Sequence, residues 1–123
     1  MIGIDLVSIS RIQNSYERFG NLFLNRFLST QEQNLCYKDN QDLNFQRIAS
    51  FWAIKEALSK ALGVGIGSEL GFLDIVISKD SKGAPKVALS EEKMQSFDVK
   101  CIAVSVTHDQ GLAIASVLIA FNS

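Results

Sequence analysis

The stretch from about Leu43 to Leu62 limits what this chain can fold into more than any other. It reads as the longest helix, and Gly63 ends it. Phe51, Ile54, Leu58 and Leu62 form one apolar stripe, and Phe45, Ile48, Ala49 and Trp52 form a second. Ser50, Ala53 and Ala57 make a small-residue face that permits close packing. A helix apolar on most sides must be covered on most sides, so it belongs in the middle of the domain. A chain of 123 residues has room for one such core, and residues 1–123 read as a single domain.

The rest of the pattern arranges itself around that helix. Residues 1–7 read as a strand with Ile2, Ile4 and Leu6 on one face. A helix follows from about Ser8, with Ile9, Ile12, Tyr16 and Phe19 at helical spacing and Gly20 as its stop. Phe23, Leu24, Phe27 and Leu28 form a short helical patch. Ser29-Thr30-Gln31-Glu32 is a capping box, which predicts a short third helix to about Tyr37. Beyond the long helix the chain is mostly strand. Phe72–Ser78 is the first, and 79–85 has turn chemistry. Lys86–Leu89 is a short strand, and Ser90 caps a short helix through about Ser96. Lys100–Thr107 alternates, and Asp109-Gln110-Gly111 is a hairpin turn. Leu112–Phe121 is a continuous apolar run, expected of a strand covered on both faces. The expected fold class is α+β: a small antiparallel sheet packed on one long central helix plus several short helices.

Composition narrows the function. Twelve basic against thirteen acidic side chains leave a formal net charge of −1, so nucleic acid is not an expected partner. No run approaches the roughly 20 apolar residues that a membrane-crossing helix requires. The opening residues lack a basic leader, and Cys36 and Cys101 have neither disulfide-framework nor metal spacing. Buried, reduced thiols and a cytoplasmic location are the expectation. A single histidine, His108, excludes chemistry that needs two.

Few residues remain that could carry chemistry. Asp5 interrupts an apolar strand, where a carboxylate is costly unless it caps the next helix, pairs with Arg11 or holds a cation. Glu56 continues the stripe Phe45–Ala49–Trp52, with Lys60 four residues on. Alone it reads as an ordinary helix-surface pair. Its place just before Gly63, Gly65 and Gly67 suggests more, because such a stretch lets backbone approach a phosphate. Arg11 and Arg18 share a helix face, either as a solvated surface or as a dock for an acidic partner. Two hard carboxylates suit Mg²⁺, which one or two acids hold with water and substrate phosphates completing the octahedron. That is a phosphoryl-transfer constellation.

The sequence resembles the small bacterial holo-acyl-carrier-protein synthases, which are 4'-phosphopantetheinyl transferases. The carriers of the resemblance are Ile2–Val7 with Arg11-Ile12, the run Trp52–Gly67 (WxxKEAxxKALGxGxG), the turn Lys79-Asp80 through Gly83-Ala84-Pro85, and Val104–His108. They stand in family order over essentially the whole chain. The resemblance implies Mg²⁺-dependent transfer of 4'-phosphopantetheine from coenzyme A to a serine hydroxyl of apo-acyl carrier protein. Adenosine 3',5'-bisphosphate is released, and the transfer serves fatty acid biosynthesis. It implies a homotrimer with coenzyme A between subunits. It makes Asp5 and Glu56 the metal ligands, and places Lys60 beside the phosphates and His108 near the nucleotide. Arg11, joined by Arg18, would receive the carrier. Glu56, directly or through water, would remove the serine proton. Two departures stand out. Phe51 occupies a position where many relatives have arginine, and Asp42-Leu43-Asn44 replaces a basic approach to the long helix. Lys38, Lys55 or a neighbouring subunit are the candidate substitutes, and Arg47 is the nearest base. The competing readings are a non-catalytic α+β ligand-binding or assembly module, and a Mg²⁺-dependent nucleotide hydrolase with water as acceptor.

Overall fold

The computed structural model describes all residues, 1–123. In chain order, β1 is Ile2–Ser8, α1 Ile9–Phe19, α2 Asn21–Phe27, α3 Thr30–Asn34 and α4 Phe45–Ala61. A 3-10 turn at Phe72–Asp74 leads into β2, Ile75–Lys79. Then come β3 Pro85–Leu89, α5 Glu91–Ser96, β4 Val99–Asp109 and β5 Leu112–Phe121. β1, β5 and β4 form an antiparallel sheet in that order, and β2 and β3 form a separate two-stranded one. The α+β expectation holds, with α4 running through the middle.

Local chemistry explains the boundaries. Ser8 caps α1 by accepting from the Arg11 amide. The capping box at Ser29 and Glu32 is formed in both directions. α3 is shorter than expected and ends at Asn34, and residues 72–74 are a 3-10 turn rather than strand. Gln110 and Gly111 both have positive φ, as a two-residue hairpin turn between β4 and β5 requires.

The sheet differs from expectation in one respect that matters. Along β1 the residues facing α4 are Gly3, Asp5 and Val7, while Ile2, Ile4 and Leu6 point away from the core. Ile4 is 63% exposed. On β5, Ala113, Ala115, Val117 and Ile119 are buried, but Leu118 on the other face is 56% exposed. β5 is therefore covered on one face only, because this chain supplies no second layer. The thiols divide likewise. Cys36 is buried, its pKa pushed up to about 12 chiefly by burial, whereas Cys101 is exposed on the open side.

Contact between β1 and α4 is unusually close at Gly3. A Cβ there would lie 2.0 Å from the Ala57 carbonyl oxygen and 2.7 Å from the Ala61 amide. Ala53, Ala57 and Ala61 present a small surface that lets the strand backbone in. Backbone atoms on both sides cannot give way. Gly3→Ala is expected to destabilise the fold by about 3 kcal/mol, the upper range for overpacking. Thermal denaturation should show a fall of roughly 10 °C; an unchanged midpoint would show that strand and helix do not touch there.

Candidate active site

The close approach at Gly3 carries Asp5 over the last turns of α4. Its side chain faces the helix and is 14% exposed. Lys60 Nζ donates to Asp5 Oδ1 at 2.8 Å and to the Ile4 carbonyl at 3.2 Å. Glu56 lies one turn before Lys60 and is half-buried. Burial raises its carboxyl above the ordinary carboxylate range, and the Asp5 charge raises it further. Lys60 and Arg11 pull the other way with smaller effect. The structure thus brings Asp5 and Arg11, from the start of the chain, together with Glu56 and Lys60 near the end of α4. Two coupled carboxylates of this kind fit Mg²⁺, which needs few protein ligands and takes the rest from water and phosphate. No group of three or more His, Cys, Asp or Glu converges anywhere, so a site that fills a metal's sphere from side chains alone is absent.

The glycines beside this cluster close the end of α4. Gly63 and Gly65 have φ values of 79° and 67° and wrap the end of α4. The amides of Val64 and Gly65 donate to the Ser59 carbonyl, that of Gly63 to Lys60, and that of Gly67 to Leu70. These N–H groups are engaged within the chain. A Cβ on Gly63, Gly65 or Gly67 would meet nothing within 4 Å. The turn thus leaves open space at its glycines while their own amides are already used.

His108 sits elsewhere. It shares the α4-facing side of the sheet with Asp5, but on the opposite edge strand. Gln46 Nε2 lies 2.8 Å from its Nδ1, which ties the ring to the first turn of α4. Gln46 and Glu56 are ten residues apart, ~15 Å along a helix. One chain therefore does not unite His108 with the acidic cluster.

Around His108 lies a cleft of about 220 Å³ with Arg47, Lys79, Ser50 and the Gly83–Pro85 turn in its wall and no acid among its residues. Burial and the neighbouring Arg47 guanidinium lower the Lys79 pKa, the mark of a cation short of an anion. Sequence reasoning named Arg47 only as the nearest base and missed Lys79 as a cleft residue. Their proximity brings the end of β2 to the first turns of α4, which no local pattern announces.

Lys55 is corrected outright. It is fully buried, not free for a nucleotide: its ammonium donates to Glu32 Oε1 at 2.8 Å and to the carbonyls of Phe27 and Phe72. Glu32 Oε2 in turn accepts from the Ile77 amide at 2.7 Å. Arg11 and Arg18 line one shallow hollow on α1, and Arg26 borders the adjoining recess with Phe19, Leu22 and Phe23.

A family model described as the 4'-phosphopantetheinyl transferase superfamily matches residues 1–116. The chain belongs to that superfamily. It is 53% identical to a Campylobacter lari protein named holo-acyl-carrier-protein synthase, over 99% of this chain and all of the relative. A Helicobacter pylori protein of the same name is 52% identical over the full length of both. Among solved structures, the Helicobacter pylori holo-acyl-carrier-protein synthase in complex with coenzyme A superposes with a TM-score of 0.91 at 53% identity, covering 98% of this chain and all of that one. The Neisseria meningitidis synthase superposes at 0.85 with 26% identity, covering 97% and 96%. The chain is thus an enzyme of the phosphopantetheinyl transferase class, and the resemblance carried by Trp52–Gly67 extends through the whole fold.

The raised Glu56 carboxyl has a measurable consequence. The folded chain keeps the Glu56 proton to a higher pH than the unfolded chain does. Ionising it therefore costs stability, and the loss sets in as pH rises from the ordinary carboxylate value through the raised one. Without metal, Glu56→Gln should melt above the wild type near neutral pH. The difference should vanish at about pH 3.5, where the side chain is neutral in both states. Melting curves at the two pH values check this.

Proposed function

We propose that this transferase moves 4'-phosphopantetheine from coenzyme A to the serine hydroxyl of an apo-acyl carrier protein, with Mg²⁺ as cofactor. Adenosine 3',5'-bisphosphate is the second product, and the holo-carrier serves fatty acid biosynthesis in the cytoplasm. The observation that carries this reading is the convergence of Asp5 and Glu56 on one spot beside Lys60, in a chain half identical to holo-acyl-carrier-protein synthases.

Asp5 and Glu56 would hold Mg²⁺, which neutralises charge on the pyrophosphate oxygens and on the departing phosphate. Glu56, directly or through an ordered water, would accept the serine proton. As the serine oxygen bonds to phosphorus, the phosphorus–oxygen bond to the adenosine bisphosphate breaks and its electron pair leaves with that product. Lys60 adds a mobile positive charge at the phosphates. The glycine turn leaves room for them, and the phosphate-bearing nucleotide suits the basic cleft of Arg47, Lys79 and His108.

The two clusters lie at opposite ends of α4, so they meet on one coenzyme A only if a neighbouring copy supplies one of them. The uncharged outer face of Ile2, Ile4, Leu6, Ile114 and Leu118 is a fitting contact for such copies. A homotrimer with its sites between subunits is the assembly we propose. Arg11 and Arg18 flank the acidic cluster and suit an acidic carrier, docked so that its serine reaches Glu56.

Incubation with apo-carrier, coenzyme A and Mg²⁺ should add the mass of phosphopantetheine to the carrier. Chelation should abolish the gain, and Glu56→Gln should slow it by roughly 10²–10⁴-fold, the usual worth of a proton-transfer group. Release of inorganic phosphate with an unmodified carrier would favour hydrolysis instead. Near-normal transfer by Glu56→Gln would overturn the assignment. The cleft has its own test: Lys79→Ala should raise KM for coenzyme A about ten-fold and leave kcat little changed, as expected for loss of uniform binding.

A further inference from the structure

We propose that Lys60 is a built-in stand-in for the divalent cation: its ammonium occupies Asp5 until the cation arrives, then leaves to bind phosphate. This rests on the reading of Asp5 and Glu56 as the cation's ligands. The geometry is one of competition. Lys60 Nζ lies 2.8 Å from Asp5 Oδ1, within the space a cation on that oxygen would need. Two positive charges on one carboxylate oxygen repel strongly. The partners also differ in freedom. Asp5 is held on β1, which pairs with β5 and packs on α4, with its side chain 14% exposed, whereas the Lys60 side chain is 52% exposed on a flexible stem. Lys60 is the one able to leave.

The fold also needs a cation here when no metal is bound. Asp5 lies against Lys60 in the last turn of α4, where the negative end of the helix dipole disfavours a lone carboxylate. Lys60 pairs with Asp5 alone, and Glu56 has no ion pair of its own. Arg11 acts on Glu56 only from a distance and makes no ion pair with either acid, so the two carboxylates are one directly bound positive charge short. A divalent ion exchanged for Lys60 supplies that charge and frees the ammonium at the same moment. Cation and phosphate then favour each other's binding, since the first releases the group that the second collects. Lys60 acts in this exchange as a positioning residue as well as a phosphate partner.

The exchange is visible without turnover. Lysines of the intact protein are methylated with ¹³C-formaldehyde under reduction, and the Lys60 signal is assigned by its disappearance in Lys60→Arg. Titration with Mg²⁺ alone should move the Lys60 methyl resonance toward that of a free lysine and narrow it. Other lysine signals should stay in place. Mn²⁺ binding followed by electron paramagnetic resonance should tighten about ten-fold in Lys60→Met, which no longer has to be displaced. If Mn²⁺ binds while the Lys60 signal of the Mg²⁺-saturated protein stays fixed, the exchange is refuted and the metal site stands. If Mn²⁺ does not bind and Asp5→Asn changes nothing, the metal site and the exchange fall together.

Discussion

The site depends on how near a strand backbone can come to a helix backbone. At Gly3 that distance leaves no space for a side chain, and the helix answers with Ala57 and Ala61. Because side chains on a strand alternate, Asp5 follows Gly3 on the same face and lands against Lys60, with Glu56 one helical turn earlier. A Cβ at position 3 would push the strand out and take Asp5 away from its partners. Packing of small residues is thus the condition for the electrostatics, and the carboxylate coupling follows from it.

A second constraint keeps α4 in register. Its middle carries Lys55, whose ammonium is enclosed by Glu32 and the carbonyls of Phe27 and Phe72, while Glu32 also serves Ser29 and Ile77. Removing one member of a buried pair leaves an uncompensated charge, so such a network specifies one seating of the helix. Trp52 helps from the adjacent turn by packing on Phe23, Phe27 and Phe72. Glu56 lies next to Lys55 in sequence, about 100° around the helix, so anchoring Lys55 also sets the direction in which Glu56 points.

The two ends of α4 divide the chemistry. The C-terminal end gathers acids that call for a cation, and the N-terminal end gathers bases that call for an anion. A pyrophosphate-linked nucleotide has both requirements. In one copy the two clusters stand ~15 Å apart along α4, and the half-covered sheet leaves an apolar surface exposed.

Much of this was legible from residue order alone. The central helix followed from its apolar stripes, the caps at Ser29 and Ser90 from their side chains, and the hairpin from Gln110-Gly111, because each depends on neighbours within a few positions. Asp5 and Glu56 stood out because a carboxylate interrupts an apolar pattern. Only the tertiary structure decided that β5 is open on one face, that Lys55 is a buried strut, that the glycine amides are already engaged, and that Lys60 sits on Asp5. Each of those turns on contacts between segments more than twenty residues apart, or on a backbone conformation that sequence spacing does not encode. Local hydrogen bonds and periodicity are written along the chain, whereas distances across it are set by which surfaces pack together.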